Sequence, residues 1–251
     1  MLTMATYGDD TGTPLLIVHG LFGSGRNWRA IAKRMAAKRR VITVDMRNHG
    51  DSPRAASQSY PDMAADLAQV IRHIGGPADV MGHSMGGKAA MVLALAHPDL
   101  VRRLLVADIA PVAYPHSQAA LITAMRALDL TPIKTRQDAD AALKTAVPDD
   151  QVRAFLLQSL DVQTKTWRLN LDVLERDMGL ITGFPDVTGT FPGPTLFLSG
   201  GASDYVRPDH RAQIKQLFPN AKFAKLPGAG HWLHAENPRN FIAAAEMFFD
   251  A

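Results

Sequence analysis

The sequence predicts an α/β protein in which a mostly parallel sheet is flanked by helices. Short aliphatic and β-branched runs alternate with segments whose apolar residues recur at helical spacing. That alternation is typical of a parallel sheet that is covered on both faces. A length of 251 residues, with 47% hydrophobic and 20% charged residues, suits one large domain with a substantial core.

The first predicted elements alternate strand and helix twice. A continuously apolar run predicts a strand at 15–18, and apolar residues three or four positions apart predict a helix at 26–37. The β-branched run at 41–44 predicts the next strand, and residues 60–74 again show helical spacing. These pairs are the repeating unit of a parallel sheet, so the active groups are expected at the carboxyl ends of the strands.

The same alternation continues to the C-terminus. A strand at 78–81 leads into a helix at 85–97, which Pro98 ends because proline cannot continue a helix. The remaining predicted elements are strands at 104–107, 195–198 and 221–226 and helices at 208–218 and 237–249.

One stretch interrupts this rhythm. Between Pro111 and Pro194 the sequence predicts no strand, only four amphipathic helical patterns, at 117–128, 138–147, 150–160 and 169–178. An all-helical insertion at this point would lie over the carboxyl edge of the sheet. We therefore expect a core formed by residues 1–111 and 195–251, interrupted by a helical cap at 112–194.

Composition narrows the classes of function. The net charge is only +3 and no aromatic residues interleave with the basic cluster at 33–40, which argues against nucleic-acid binding. The absence of cysteine excludes disulfides, thiolate catalysis and cysteine-ligated metals, and fits a cytoplasmic protein. We expect neither a signal peptide nor a membrane span, because no apolar run approaches about 20 residues. The oligomeric state stays open.

The segment Gly82-His83-Ser84-Met85-Gly86 carries the strongest chemical signal. It places Gly-x-Ser-x-Gly between an apolar strand and a helix, where a tight turn strains the serine backbone and lifts its hydroxyl above the sheet. Glycine is needed two residues before and after the serine because a side chain there would collide. The sequence therefore predicts Ser84 as a nucleophile.

Acyl transfer also needs two amide hydrogens aimed at the substrate carbonyl oxygen. One is expected from Met85, at the N-terminus of the helix that follows the nucleophile. The other is expected from His19-Gly20-Leu21-Phe22-Gly23, which follows the first strong strand. Leu21 is the preferred donor in that loop and Phe22 the alternative.

A histidine on a glycine-rich loop after the last strand supplies the candidate general base. His231 stands in Gly228-Ala229-Gly230-His231-Trp232, and an imidazole has the near-neutral pKa that proton relay requires. Two aspartates compete to orient it. Asp108 follows the strand after the nucleophile helix and is preferred, while Asp204 lies one residue beyond the usual acid position, which Ser203 occupies.

Taken together, these segments resemble the α/β-hydrolase superfamily, and within it the small bacterial esterases active on acyl-CoA and short esters, with their mitochondrial animal relatives. The resemblance spans nearly the whole chain and is carried by the motifs at 44–52, 82–88, 108–112, 167–171 and 230–232. It implies an α/β-hydrolase fold with a small helical cap. It also supports Asp108 as the acid, because that subgroup uses the aspartate of the earlier strand.

The predicted function is a serine hydrolase that cleaves a small acyl ester or thioester through an acyl-enzyme intermediate. It implies a small-molecule acyl substrate and neither a metal nor an organic cofactor. A carbon–carbon bond hydrolase is the enzymatic alternative and would need a cation near a substrate carboxylate, for which Arg126, Arg153 and Arg168 are candidates. A non-catalytic ligand receptor on the same fold is the other alternative.

Overall fold

The computed structural model describes residues 1–10 and 12–251. Seven strands form one sheet in the order β1-β3-β2-β4-β5-β8-β9. Their ranges are Met4–Tyr7 (β1), Leu15–Val18 (β2), Val41–Val44 (β3), Ala78–His83 (β4), Val101–Ala107 (β5), Thr195–Gly200 (β8) and Ala221–Leu226 (β9). All neighbouring pairs are parallel except β1 with β3. This mostly parallel sheet confirms the predicted fold class.

The antiparallel edge strand β1 was not predicted. It has four residues, Met4 to Tyr7, and pairs with β3 so that Met4 lies opposite Val44. At an edge the strand is only partly buried, so its residues lack the continuous apolar run that marks a central parallel strand.

Helices cover both faces of the sheet. Those of the core are Arg29–Met35 (α1), Tyr60–His73 (α2), Met85–Ala96 (α3), Arg211–Leu217 (α9), Leu233–Glu236 (α10) and Pro238–Phe249 (α11). Along β2, Leu16 and Val18 pack into one apolar cluster with α2 and α3, whereas Leu15 and Ile17 pack into another with α1 and α11. Successive strand residues point to opposite faces, which explains why the central strands are apolar throughout.

The segment between β5 and β8 contains five α-helices, a 3₁₀ turn at Leu157–Ser159 and, contrary to the prediction, two short strands. The helices are Ala119–Ala127 (α4), Arg136–Leu143 (α5), Asp150–Leu156 (α6), Leu171–Arg176 (α7) and Met178–Thr182 (α8). The strands Leu160–Asp161 (β6) and Thr166–Trp167 (β7) pair antiparallel. Two residues are too few to show an alternating pattern, and this hairpin depends on its turn, in which Asp161 Oδ1 accepts from two backbone N–H groups.

Several helix boundaries differ from the predicted ones. The helix expected at 26–37 begins as a 3₁₀ turn, Gly25–Trp28, and ends at Met35. The pattern at 169–178 divides at Asp177 into α7 and α8. None of the helices in residues 1–10 and 12–251 combines the length and the apolar character that a membrane span requires.

Candidate active site

The turn between β4 and α3 holds Ser84 in a strained conformation. Its φ is 52° and its ψ −121°, a left-handed φ that a non-glycine residue rarely adopts. A Cβ on Gly82 would lie 2.3 Å from the carbonyl oxygen of Gly86, and a Cβ on Gly86 would lie 2.4 Å from that of His19. Both positions therefore require glycine, as the motif predicted, because the chain approaches itself too closely for a side chain.

His231 lies beside this serine although 147 positions separate them. Its Nε2 is 3.1 Å from Ser84 Oγ, and its Nδ1 is 2.8 Å from Asp108 Oδ2. An ionised carboxylate can only accept, so Nδ1 carries the hydrogen and Nε2 is left as an acceptor for the serine hydroxyl. This is the tautomer that a general base needs.

Asp108 is the aspartate that contacts the histidine. It is fully buried at the end of β5, with a φ of 52°. Its Oδ1 accepts from Gly200 N at 2.9 Å, and its Oδ2 accepts from Ser203 Oγ at 2.5 Å as well as from His231. Asp204, the alternative acid, is exposed and makes no hydrogen bond with His231. The geometry therefore favours Asp108.

Two further side chains hold His231, and the sequence analysis missed both. His83 Nε2 donates to the carbonyl oxygen of His231 at 2.8 Å. The ring of Tyr205 stacks on the imidazole, with centroids 4.0 Å apart and planes 20° from parallel. No sequence pattern marks Tyr205, and the only signal for His83 is that it precedes the nucleophile.

The loop formed by residues 20–23, here called the oxyanion loop, lies against the nucleophile turn. An added Cβ on Gly20 would lie 3.2 Å from Ser84 Cβ. Phe22 N–H donates to His49 Nε2 at 3.2 Å and is therefore occupied. Within the described chain, the N–H groups of Leu21 and Met85 have no acceptor. The N–H groups of Leu21 and Met85, the preferred donors, are therefore available to a substrate oxygen. The N–H of Phe22, the alternative donor, is not.

Buried uncharged histidines hold this loop in place. His19 Nε2 accepts from Met46 N at 2.9 Å, and His49 Nε2 accepts from Phe22 N, so each ring carries its hydrogen on Nδ1. Burial lowers the pKa of His19 to about 4 and that of His49 to about 3. These contacts join the loop at residues 19–23 to the segment that follows β3.

A cavity of about 290 Å³ opens at Ser84. Near the serine and histidine it is lined by the oxyanion loop, and elsewhere by apolar residues that include Leu121, Val152, Phe155 and Ile181. In the sequence, six apolar residues at helical spacing in the cap are candidates for an acyl pocket or for core packing, and of these six Leu121 lines the cavity. The others belong to the apolar core: Met125, Leu156, Leu157, Leu174 and Met178.

Charged side chains are nearly absent from the cavity. Among the residues that the structure describes, no Asp, Glu or Arg lines it, and Lys88 is the one lysine that does. The arginines considered for a carboxylate site are paired elsewhere: Arg126 with Asp172 and Glu175, Arg153 with Asp140, and Arg168 with Asp51 and Asp161. No group of three or more metal-ligating side chains occurs in residues 1–10 and 12–251.

Comparisons with known proteins agree with the observed fold. Residues 13–238 match the family model described as the alpha/beta hydrolase fold. The chain is 44% identical over 252 residues to the "sn-1-specific diacylglycerol lipase ABHD11" of Mus musculus, covering 96% of this chain and 82% of the relative. It is 36% identical over 241 residues to "Esterase YbfF" of Escherichia coli K12, covering 95% and 93%.

A solved structure is also similar over almost the full length. The structure titled "Marine microorganism esterase" superposes with a TM-score of 0.93 at 39% sequence identity, covering 98% of each chain. A thioesterase domain from the curacin biosynthetic pathway superposes with a TM-score of 0.72 at 24% identity, which shows the shared fold alone. The chain belongs to the α/β-hydrolase family and groups with its ester hydrolases.

Proposed function

We propose that this enzyme hydrolyses carboxylic esters of short to medium acyl chain through an acyl-enzyme formed on Ser84. The observation that carries the proposal is the continuous hydrogen-bond chain from Ser84 Oγ through His231 to Asp108, at the wall of an apolar cavity. A protein that only bound a ligand would need neither the strained serine nor an imidazole held in the matching tautomer.

Acylation begins when Ser84 Oγ attacks the ester carbonyl carbon and His231 Nε2 takes the hydroxyl proton. The carbonyl π bond opens to an oxyanion, which the N–H groups of Leu21 and Met85 stabilise. The oxyanion then re-forms the carbonyl and the bond to the leaving oxygen breaks. His231 gives its proton to that oxygen, so a neutral alcohol departs and Ser84 is left esterified.

Deacylation repeats the sequence with water. His231 removes a proton from a water molecule as the water oxygen attacks the acyl carbon. The same amides receive the second oxyanion. When the bond to Ser84 Oγ breaks, the imidazolium returns the proton to the serine and the carboxylic acid is released. Asp108 holds Nδ1 of the imidazole and stabilises the imidazolium that forms twice in each cycle.

The charge and size of the cavity favour an uncharged ester over an acyl-CoA thioester. A volume of about 290 Å³ lies at the small end of ligand sites, which span roughly 300–1,000 Å³. A coenzyme A leaving group carries several phosphate charges, and the lining of the described cavity offers no arginine to pair with them. Lys88, the one lysine of the described lining, gives its three hydrogens to backbone carbonyl groups. No donor is left there for a substrate carboxylate, which disfavours the carbon–carbon hydrolase alternative.

We further propose that residues 112–194 act as the cap that covers this site. Leu121, Val152, Phe155 and Ile181 from this segment form part of the cavity wall. Ser159 Oγ also donates to the carbonyl oxygen of Phe22 at 2.8 Å, which joins the segment to the oxyanion loop. The cap would therefore both shape the acyl site and support the oxyanion donors.

The deciding experiment combines active-site labelling with paired substrates. A fluorophosphonate should label the parent protein and Ser117→Ala, in which an exposed serine is replaced, but not Ser84→Ala. Hydrolysis of p-nitrophenyl butyrate should then exceed that of butyryl-CoA in kcat/KM. Failure of Ser84 to label in the folded protein would refute the proposal. A preference for the thioester would overturn the choice of leaving group.

A further inference from the structure

Lys88 is a buried cation that the catalytic cycle does not use. It lies on α3 one turn after the nucleophile, where its N–H donates to the carbonyl oxygen of Ser84. The residue is only 1% exposed. Within the described residues no carboxylate lies close enough to form an ion pair with it. Because a buried ammonium without a counter-ion is costly, burial lowers the pKa of Lys88 to about 7, and its environment has to compensate for the charge to be kept.

Three backbone carbonyl groups provide that compensation. Lys88 Nζ donates to Val112 O at 2.8 Å, to Thr182 O at 2.9 Å and to Gly183 O at 2.5 Å. An ammonium has three hydrogens, so every donor is used. Val112 begins the proposed cap segment and Thr182 ends α8, which is the last helix of that segment. The Lys88 side chain therefore connects the first residue of the cap segment and the end of its last helix to α3.

Aromatic rings hold the charge from the sides. Nζ lies 4.7 Å from the ring centroid of Tyr114 and 5.7 Å from that of Tyr60, distances that allow cation–π attraction. Tyr60 Oη also donates to Ile181 O at 2.6 Å. Burial raises the pKa of both tyrosines, so their hydroxyls stay protonated beside the lysine. The Lys88 ammonium therefore cannot move without losing hydrogen bonds to backbone carbonyls or contact with these rings.

This cluster lies at the buried end of the cavity. Lys88, Tyr60, Ile181 and Thr182 all line it, and the first three are less than 6% exposed, whereas His116, another lining residue, is exposed. Lys88 therefore belongs to the part of the cavity wall that is shielded from solvent.

We propose that Lys88 is a specificity-determining residue that limits the length of acyl chain the enzyme accepts. The inference depends on the proposed ester hydrolysis and adds a boundary to its substrate class. An acyl chain that reaches Lys88 meets a charge that cannot move aside without breaking hydrogen bonds to both parts of the cap. Any further methylene groups of the acyl chain then gain no apolar contact, so the chain has to bend or leave them exposed to water.

Two substitutions should move the limit in opposite directions. Lys88→Met is similar in length but removes the ammonium, so the side chain that meets the acyl chain becomes apolar. The carbonyl groups of Val112, Thr182 and Gly183 lose their donor, so the melting temperature should fall as well. Lys88→Arg keeps the charge and the donors but is bulkier, so the cavity becomes shorter. Lys144→Met makes the same chemical change at an exposed lysine of the cap and serves as the control.

The measurement is kcat/KM for p-nitrophenyl esters from acetate to laurate, together with fluorophosphonate labelling of Ser84 to count competent sites. For Lys88→Met we expect the optimum to move to longer chains, with about a fourfold gain for each added methylene that becomes buried. For Lys88→Arg we expect it to move to shorter chains, and for Lys144→Met to stay unchanged.

An unaltered chain-length optimum in labelled Lys88→Arg would overturn the inference, and so would one in labelled Lys88→Met. If Lys88→Met does not fold, the arginine variant alone decides. A parent protein that hydrolyses none of the esters would refute the proposed function instead, so the two failures are distinguishable.

Discussion

Replacing Asp108 by Asn should disable His231 with little change in shape. The carboxylate accepts from Gly200 N, Ser203 Oγ and His231 Nδ1, but an amide has one oxygen and cannot accept from all three sites. If the amide NH₂ faces His231, Nδ1 becomes the acceptor and Nε2 carries the hydrogen. Nε2 can then no longer take the proton of Ser84. By analogy with other triads, kcat should fall about 10⁴-fold, equivalent to about 5.4 kcal/mol.

The assay is steady-state hydrolysis of p-nitrophenyl butyrate, with the melting temperature measured in parallel to separate catalysis from unfolding. Asp204→Asn is the matched control, because it makes the same change at the exposed alternative acid. It should keep near-parental kcat. If Asp108→Asn kept more than a tenth of the parental kcat while Asp204→Asn lost activity, the assignment of the acid would be wrong.

Three other perturbations test the elements that support the site. Gly86→Ala places a Cβ 2.4 Å from His19 O and should cost about 1–3 kcal/mol of unfolding free energy in urea titrations, whereas Gly179→Ala, with open space around it, should cost less. Burial lowers the pKa of His49 to about 3, so on acidification the unfolded chain takes up a proton at this residue before the folded chain does. The contribution of His49 to the free energy of unfolding should be fully present above pH ~6.5. Towards pH 4 that contribution should fall by up to about 1.4 kcal/mol per pH unit. His49→Gln should reduce that slope, and an unchanged slope would contradict the explanation. Ser159→Ala removes the hydrogen bond to the oxyanion loop and should lower kcat/KM about fivefold, as expected for ~1 kcal/mol, without moving the pH profile.

The central strands and the nucleophile turn could be predicted because their causes are local. The fully buried run at Leu15–Val18 leaves an apolar pattern, and the collision at Gly82 and Gly86 leaves glycines at fixed spacing. Strand β1 and the hairpin of β6 and β7 leave no comparable pattern, because their strands are short or lie at an edge. The pairing of β1 also depends on β3, which lies elsewhere in the chain.

The sequence limits the residue that orients His231 to two aspartates, but residue types and spacing alone do not decide between them. Asp108 and Asp204 both follow strands that end at the same edge of the sheet. What separates them is the direction of a side chain, which depends on the left-handed φ of Asp108 and on the N–H of Gly200, 92 positions away. Tyr205 could not be predicted either, because its stacking on His231 depends on the tertiary fold and leaves no local sequence pattern.

The hydrogen bond from His83 to the carbonyl of His231 joins the nucleophile turn to the loop that carries the base. The base is thereby tied to the end of β4 through His83 and to the end of β5 through Asp108, so we expect it to keep its distance from Ser84 while these strands stay paired. Heat inactivation should therefore coincide with cooperative melting of the sheet instead of preceding it. An enzyme assembled in this way would keep its full turnover capacity until the temperature at which its tertiary structure collapses.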